Sequence, residues 1–106
     1  MGHSTYARLI TVKAKKGKGG QFAKTFDVGI ASTAMEIEGL QELYLFSPIG
    51  KKDEFLVLSL WDVEQSAKNY VKSGRDTKYG SKLAKFQQGP DTIKKFRVEL
   101  HSGKAS

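Results

Sequence analysis

The chain has 106 residues and no cysteine, and its 18 Lys and Arg against 11 Asp and Glu give a net charge of +7 at pH 7. This length predicts one domain, and the absence of cysteine excludes disulfides and zinc–thiolate sites. No stretch reaches the roughly 20 apolar residues that span a bilayer, and MGHSTYARLI lacks the pattern of a signal peptide. We therefore expect a cytoplasmic protein with no membrane partner. The two histidines, His3 and His101, lie near opposite ends of the chain and predict no metal site.

The first half of the chain predicts a strand, a helix and a second strand. Tyr6 to Val12 is rich in β-branched and aromatic residues, which is typical of a strand. The glycine-rich loop KAKKGKGG follows. From Gln21 to Ile37, apolar residues recur every three or four positions, which predicts a helix, and Gly39 is expected to end it. Leu40 to Phe46 is the second predicted strand.

The second half predicts a strand, two helices and a last strand. Phe55 to Trp61 is expected to pair with the second strand as a hairpin. Asp62 is expected to cap the next helix, and Gln65 completes a pair that resembles a capping box. The predicted apolar stripe of this helix consists of Val63, Ala67, Tyr70 and Val71. A short helix capped by Asp76 would carry Tyr79, Leu83 and Phe86, and Ile93 to Leu100 predicts the final strand.

The predicted order βαββαβ is that of an α+β, ferredoxin-like domain with an antiparallel sheet. We expect residues 6–100 to form this single domain. Residues 1–5 are expected to be a disordered or vector-derived N-terminus, and residues 101–106 a flexible tail.

The two central strands carry apolar side chains on both faces. On the third strand, Leu56, Leu58 and Leu60 alternate with Phe55, Val57 and Trp61. Because the helices can cover one face of the sheet, we expect the other face to pack on a second copy of the chain. The expected assembly is a homodimeric α/β barrel with Val57, Tyr44 and Phe46 in the interface.

The lysines and arginines raise the question of an anionic partner. Basic residues recur every three or four positions at Lys68, Lys72, Arg75, Lys78, Lys82 and Lys85. This spacing is typical of a solvated helix face, and an anionic ligand, nucleic acid or membrane surface is the alternative. RNA-recognition domains share the βαββαβ order, but DEFLVLSL lacks their aromatic signature. The sequence therefore argues against nucleic acid as a partner.

Three segments of the chain resemble the antibiotic biosynthesis monooxygenase family of dimeric α/β-barrel proteins. They are YARLITVK, EGLQELYLFSP and DEFLVLSLWDVEQSAKNYVKS, and the last is the most specific, with an acidic turn, an apolar strand and a Trp-led helix start. The family includes quinol and polyketide monooxygenases that need no cofactor. The resemblance implies a monooxygenase that uses dioxygen on a quinol-like or polycyclic aromatic molecule.

The resemblance also implies a substrate pocket between the sheet and the helices. We expect Ala7, Phe22, Phe26, Tyr70 and Tyr79 to line it. Tyr70 is the candidate catalytic residue, since its phenol could hydrogen-bond a substrate oxygen. Trp61 is expected to be a core aromatic at the strand end. Arg8 is expected to be an exposed charge, and the alternative is that its side chain reaches the pocket and stabilises an anion. No metal ligand, cofactor or general base is predicted.

Two alternatives remain open at the level of the sequence. Haem degraders of the same family use an asparagine, a tryptophan and a histidine, and the corresponding positions here are Ala7, Tyr70 and Gly80. All three differ, and haem iron needs an axial ligand, which Tyr79 is a weak candidate to supply. A haem-degrading monooxygenase with an altered active site is one alternative. A non-catalytic small-molecule-binding or stress-response protein of the same fold is the other.

Overall fold

The computed structural model describes residues 3–102. Residues 1–2 and 103–106, which are the outer parts of the terminal segments predicted above, lie outside the described residues. The elements, in chain order, are β1 (Tyr6–Lys13), α1 (Gly19–Gly29), a 3₁₀ segment (Ala31–Glu36), β2 (Leu40–Phe46), β3 (Glu54–Trp61), α2 (Glu64–Lys72), α3 (Arg75–Ala84) and β4 (Thr92–Arg97). The described helices include none that is both long and apolar enough to cross a membrane.

The four strands form one antiparallel sheet in the order β2-β3-β1-β4. β3 lies between β1 and β2, with Ile10 opposite Val57 on one side and Leu45 opposite Val57 on the other. A β-bulge between Leu40 and Glu42 shifts the register at the start of β2. The α+β, ferredoxin-like fold predicted from the sequence is confirmed.

One face of the sheet carries the core. Phe55, Val57, Ser59 and Trp61 point to this face and are buried, whereas the alternate residues of β3 are only half-buried. Phe22 and Phe26 of α1 and Leu83 of α3 pack on Val12, Phe55 and Val57. A second cluster forms around Trp61 with Tyr6, Ala34, Ile37, Leu40 and Ala67. The helices therefore cover the face to which Trp61 belongs.

The opposite face of the sheet is apolar and open. We define the open face by its central residues Leu56, Leu58, Leu60, Tyr44 and Phe46, to which Leu9 and Phe96 add from β1 and β4. Tyr44 and Phe46 are 41% and 42% exposed, and their rings stack with centroids 5.5 Å apart.

Val57 does not belong to the open face, so its predicted place in a dimer interface is corrected. It is buried in the core beneath α1 and α3. Tyr44 lies opposite Leu58 and not opposite Val57. Since neighbouring residues of a strand point to opposite faces, Leu58 is the β3 residue that shares a face with Tyr44.

The predicted helix from Gln21 to Ile37 is broken at its centre. α1 ends at Gly29, and a 3₁₀ segment replaces its last turns. Ser32 donates a hydrogen bond to the Val28 carbonyl, 2.6 Å away, and Thr33 bonds to the Ile30 carbonyl. Side chains of this kind compete with the helical hydrogen bonds of the backbone, and glycine weakens the helix further.

The predicted capping of α2 and α3 is also corrected. The Asp62 carboxylate accepts a hydrogen bond from the N–H of Val63, its immediate neighbour, and Gln65 bonds to Asn69 instead of closing a capping box. α3 begins after Gly74, which has a φ of 82°. Asp76 lies inside the first turn, where a negative charge is favourable without capping the helix.

Candidate functional site

A cavity of about 280 Å³ lies between the covered face of the sheet and the helices. Its walls are mostly apolar, with contributions from β1, β2 and β3 on one side and from α1 and α3 on the other. The polar side chains that reach it are Arg8, Ser59, Tyr70, Asp76, Tyr79, Gln87 and Asp91. An apolar cavity with a few convergent polar groups is the usual form of a small-molecule site.

Four of the five predicted pocket residues line this cavity. They are Phe22, Phe26, Tyr70 and Tyr79. The structure places the fifth, Ala7, on the other side of the sheet, where it lies opposite Leu60 and Phe96. The cavity-lining residues of β1 are Arg8, Ile10 and Val12, because every second side chain of a strand points the same way.

The aromatic walls of the cavity are held rigidly. The Phe22 ring stacks on Phe55 with centroids 4.9 Å apart, and Phe22 is almost fully buried. Trp61 is 2% exposed, and its indole Nε1–H donates a hydrogen bond of 2.9 Å to the Ser59 hydroxyl. This bond satisfies the indole and leaves the hydroxyl proton of Ser59 available to an acceptor in the cavity.

Tyr70 extends from α2 across the Trp61 ring, and the two ring centroids lie 5.7 Å apart at 43°. Burial, followed by the negative charge of Asp76, raises the pKa of Tyr70 to about 12. Its phenol therefore stays protonated at neutral pH. It can donate a hydrogen bond to a bound molecule, but it is not poised to act as a base.

Tyr79 of α3 has a different environment. Its hydroxyl lies 3.3 Å from that of Thr33 and accepts a long hydrogen bond of 3.5 Å from Arg75. The hydrogen bonds from Thr33 and Arg75 lower the pKa of Tyr79 below its ordinary value. Of the two tyrosines that line the cavity, Tyr79 therefore loses its proton more readily than Tyr70.

Arg8 was expected to be an exposed charge, and this expectation is wrong. Arg8 is 6% exposed, and its guanidinium lies 3.9 Å from the carboxylate of Asp76. The sequence did hold a signal, because Arg8 is two residues from Tyr6 and Ile10 and must share their face of the strand. The other polar cavity residues that the sequence analysis did not select are Ser59, Asp76, Gln87 and Asp91.

The family scan identifies the protein class. A family model described as antibiotic biosynthesis monooxygenase matches residues 5–89. The chain belongs to this family. The search of curated proteins found no match.

Solved structures with the same fold include several proteins that are provisionally described as antibiotic biosynthesis monooxygenases. A protein from Caulobacter crescentus CB15, provisionally described as one, is 16% identical with a TM-score of 0.80, covering 92% of each chain. The monooxygenase from the ActVA-Orf6 gene of Streptomyces coelicolor, solved with the ligand nanaomycin D, is 11% identical with a TM-score of 0.81, covering 96% of this chain and 94% of its own. A protein of unknown function from Nitrosomonas europaea, NE2512, is 14% identical with a TM-score of 0.81 and 97% coverage of both chains. At these identities the likeness shows a shared fold.

The three positions taken from the haem-degrading members of the family are not all in the cavity. Tyr70 and Gly80 line it, whereas Ala7 lies on the open face. No histidine is among the described residues that line the cavity. Within residues 3–102, moreover, no three His, Cys, Asp or Glu side chains are grouped so that they could hold a metal ion.

Proposed function

We propose that the chain is a cofactor-independent monooxygenase that oxidises a quinol-like or polycyclic aromatic molecule with dioxygen in this cavity. The observation that carries the proposal is the cavity itself, an apolar slot of about 280 Å³ in a member of the antibiotic biosynthesis monooxygenase family. Its volume is near the lower end of the range for small-molecule sites, about 300–1,000 Å³, which suits two or three fused rings. The complex of the Streptomyces coelicolor monooxygenase with nanaomycin D supports a ligand of related shape.

The proposed reaction needs only the organic substrate and dioxygen. A phenol with hydrogen on the ring carbon opposite its hydroxyl reacts with O₂ to give a quinone and water. One oxygen atom enters the ring as the new carbonyl, and the other leaves as water with the ring C–H and phenolic O–H hydrogens. The ring loses four electrons and O₂ gains four, so the atoms and electrons balance.

Tyr70 is the proposed catalytic residue, as a hydrogen-bond donor to the substrate oxygen. Its raised pKa, about 12, supports this role because the phenol keeps its proton while the substrate loses its own. A donor aimed at the oxygen where negative charge develops favours the electron-rich form that reacts with O₂. The walls formed by Phe22, Phe26 and Leu83 would exclude water from the intermediate.

Oxygen consumption separates this proposal from a non-catalytic binding protein. We expect the purified protein to accelerate oxygen uptake by 1-naphthol or a related phenol above the rate of autoxidation. With ¹⁸O₂, one labelled atom should appear in the quinone, detected by mass spectrometry. Binding of the phenol without accelerated oxygen uptake would favour a non-catalytic binding protein and contradict the proposed reaction.

We infer that the chain forms a homodimer through the open face. The supporting observation is the run of apolar side chains on β2 and β3 that no described helix covers, centred on Leu58 and Tyr44. Exposed apolar patches of this kind mark interaction surfaces. A second copy related by a twofold axis would cover the patch with the same residues. The proposed interface contains Tyr44 and Phe46, as predicted from the sequence, and Leu56, Leu58 and Leu60 in place of Val57.

A further inference from the structure

We propose that Arg8 and Ser59 form an anion subsite at one side of the cavity, and that the ligand is a flat aromatic molecule bearing a carboxylate. The aromatic part of this ligand rests on the proposed function. The carboxylate is inferred independently, from the polar groups of β1 and β3 and their surroundings.

The first observation is a buried guanidinium with donors to spare. Arg8 is 6% exposed and lines the cavity. Within residues 3–102 its ion-pair partner is Asp76, whose carboxylate lies 3.9 Å away, beyond hydrogen-bond distance. No fully buried side-chain nitrogen or oxygen in that part of the chain lacks a hydrogen-bond partner. The N–H groups of Arg8 that lack a partner are therefore not fully buried. Since Arg8 lines the cavity, a bound molecule can reach them there.

The second observation is the neighbour of Arg8 in the sheet. Ser59 lies directly opposite Arg8 across β1 and β3 and points to the same cavity. Its oxygen already accepts the Trp61 Nε1–H at 2.9 Å, so its own proton is free to be donated. A planar carboxylate can accept two parallel bonds from a guanidinium fork. The Ser59 hydroxyl would add a third donor to the same group.

Charged side chains of both signs surround the cavity, because Asp76 and Asp91 line it together with Arg8. The carboxylate of Asp76 is the group of this chain that lies beside the Arg8 guanidinium, but the Asp76 side chain is 37% exposed and the contact is long. Near Tyr79, Arg75 and Lys82 lie with their charged groups 6.0 Å and 5.6 Å from the centre of the ring. Positive charge at this position would attract an anionic ligand to the cavity. A bound carboxylate would then compete with Asp76 for Arg8.

The test compares two ligands that differ by one carboxylate. Binding of 1-hydroxy-2-naphthoate and of 1-naphthol is measured by calorimetry at pH 7 in the absence of oxygen. We expect the carboxylate to strengthen binding by about 10- to 100-fold, as hydrogen bonds to charged groups do. Arg8→Lys keeps the charge but removes the fork, so it should remove most of this preference while 1-naphthol binds as before. Arg75→Lys, the same substitution near Tyr79, should change the preference little.

A second variant keeps the test informative if Arg8→Lys fails to fold. Asp76→Asn removes the competing carboxylate from a half-exposed position, and it should strengthen binding of 1-hydroxy-2-naphthoate more than binding of 1-naphthol. Equal affinity of the two ligands for the wild-type protein, or an equal loss of both in Arg8→Lys, would overturn the subsite. An Arg8-dependent preference without any oxygen uptake would uphold the subsite and contradict the proposed monooxygenase. If neither ligand binds, both proposals fall.

Discussion

The ring centroids of Trp61 and Tyr70 lie 5.7 Å apart with the rings tilted by 43°, and this contact joins the end of β3 to the last turn of α2 at the edge of the cavity. Trp61 is fixed by its hydrogen bond to Ser59 and is almost fully buried. Tyr70 is half-buried and lines the cavity. The tryptophan is thus a packing residue, and it fixes one side of the ring of the candidate catalytic tyrosine.

Replacing Tyr70 with phenylalanine should weaken ligand binding without unfolding the protein. The change removes one hydroxyl, and a lost hydrogen bond to a neutral ligand oxygen costs about 0.5–1.5 kcal/mol. Calorimetry with 1-naphthol measures the effect, and oxygen uptake should fall as well. Tyr44→Phe is the matched control, because the Tyr44 hydroxyl bonds to Glu42 on the open face. Equal binding by Tyr70→Phe and wild type would remove Tyr70 from the proposed site.

The two tyrosines of the cavity should ionise in a defined order. The pKa of Tyr70 is raised to about 12 and that of Tyr79 is lowered. Since the folded state holds the Tyr70 proton more tightly than the unfolded chain, its contribution to stability is complete below about pH 10 and is lost as the pH rises toward 12. NMR of ¹³Cζ-labelled tyrosine should show Tyr79 titrating first. Assignment uses Tyr79→Phe and Tyr70→Phe, and a Tyr70 signal that titrates below pH 10 would contradict the account.

Gly39→Ala should destabilise the fold strongly. Gly39 has a φ of 84°, and a Cβ atom there would collide with the side chains of Ser66 and Asp62. Backbone strain and overpacking each cost about 1–3 kcal/mol, so we expect the thermal midpoint to fall by roughly 8 °C or more. Gly20→Ala is the control, since a Cβ at Gly20 meets nothing within 4 Å. A melting curve of Gly39→Ala that matches the wild type would show that the turn is not constrained as described.

Leu58→Asp should convert the proposed dimer to a monomer. The substitution puts a charge at the centre of the open face, and we expect the dimer dissociation constant to rise by at least about tenfold, because burying an unpaired charge is costly. Sedimentation velocity at micromolar concentration measures it. Val71→Asp, on an exposed position of α2, should remain dimeric. Val57→Asp should unfold the domain instead. A wild-type protein that sediments only as a monomer would contradict the dimer.

Most of the fold could be predicted from the sequence, but the assignment of the two sheet faces could not. Leu56, Leu58 and Leu60 are as apolar as Phe55, Val57 and Trp61, so alternation alone does not indicate which set meets the helices. The bulge between Leu40 and Glu42 shifts the pairing register of β2 with β3, and no feature of the sequence predicts it. The first fact accounts for the error at Val57, whereas Ala7 was selected from the family resemblance and lies on the open face of β1.

The aromatic half of the site was also predictable, whereas its polar half was not. Phe22, Phe26 and Tyr70 lie on helical stripes that must face the sheet. Arg8 resembles the many surface arginines of a chain with a net charge of +7. Its place between Tyr6 and Ile10 does indicate its face of the strand, but its contact with Asp76 of α3, 68 residues later in the chain, forms only in the folded structure. Residues that meet only in the folded structure leave little signal in the local pattern.

The cavity is the proposed place where the aromatic molecule reacts with dioxygen. The most direct test is the initial rate of oxygen uptake with 1-naphthol or 1-hydroxy-2-naphthoate for Gly80→Leu and Ser81→Leu. Gly80 lines the cavity, and a Cβ there meets nothing within 4 Å, so leucine should fill the space and favour the helix. Ser81 is the next residue of α3 and does not line the cavity.

We predict that wild type and Ser81→Leu consume oxygen above the rate of autoxidation, and that Gly80→Leu does not although it remains folded. A Gly80→Leu protein with the wild-type rate would place the reaction elsewhere. Wild-type protein that does not exceed autoxidation with either compound would contradict the monooxygenase account.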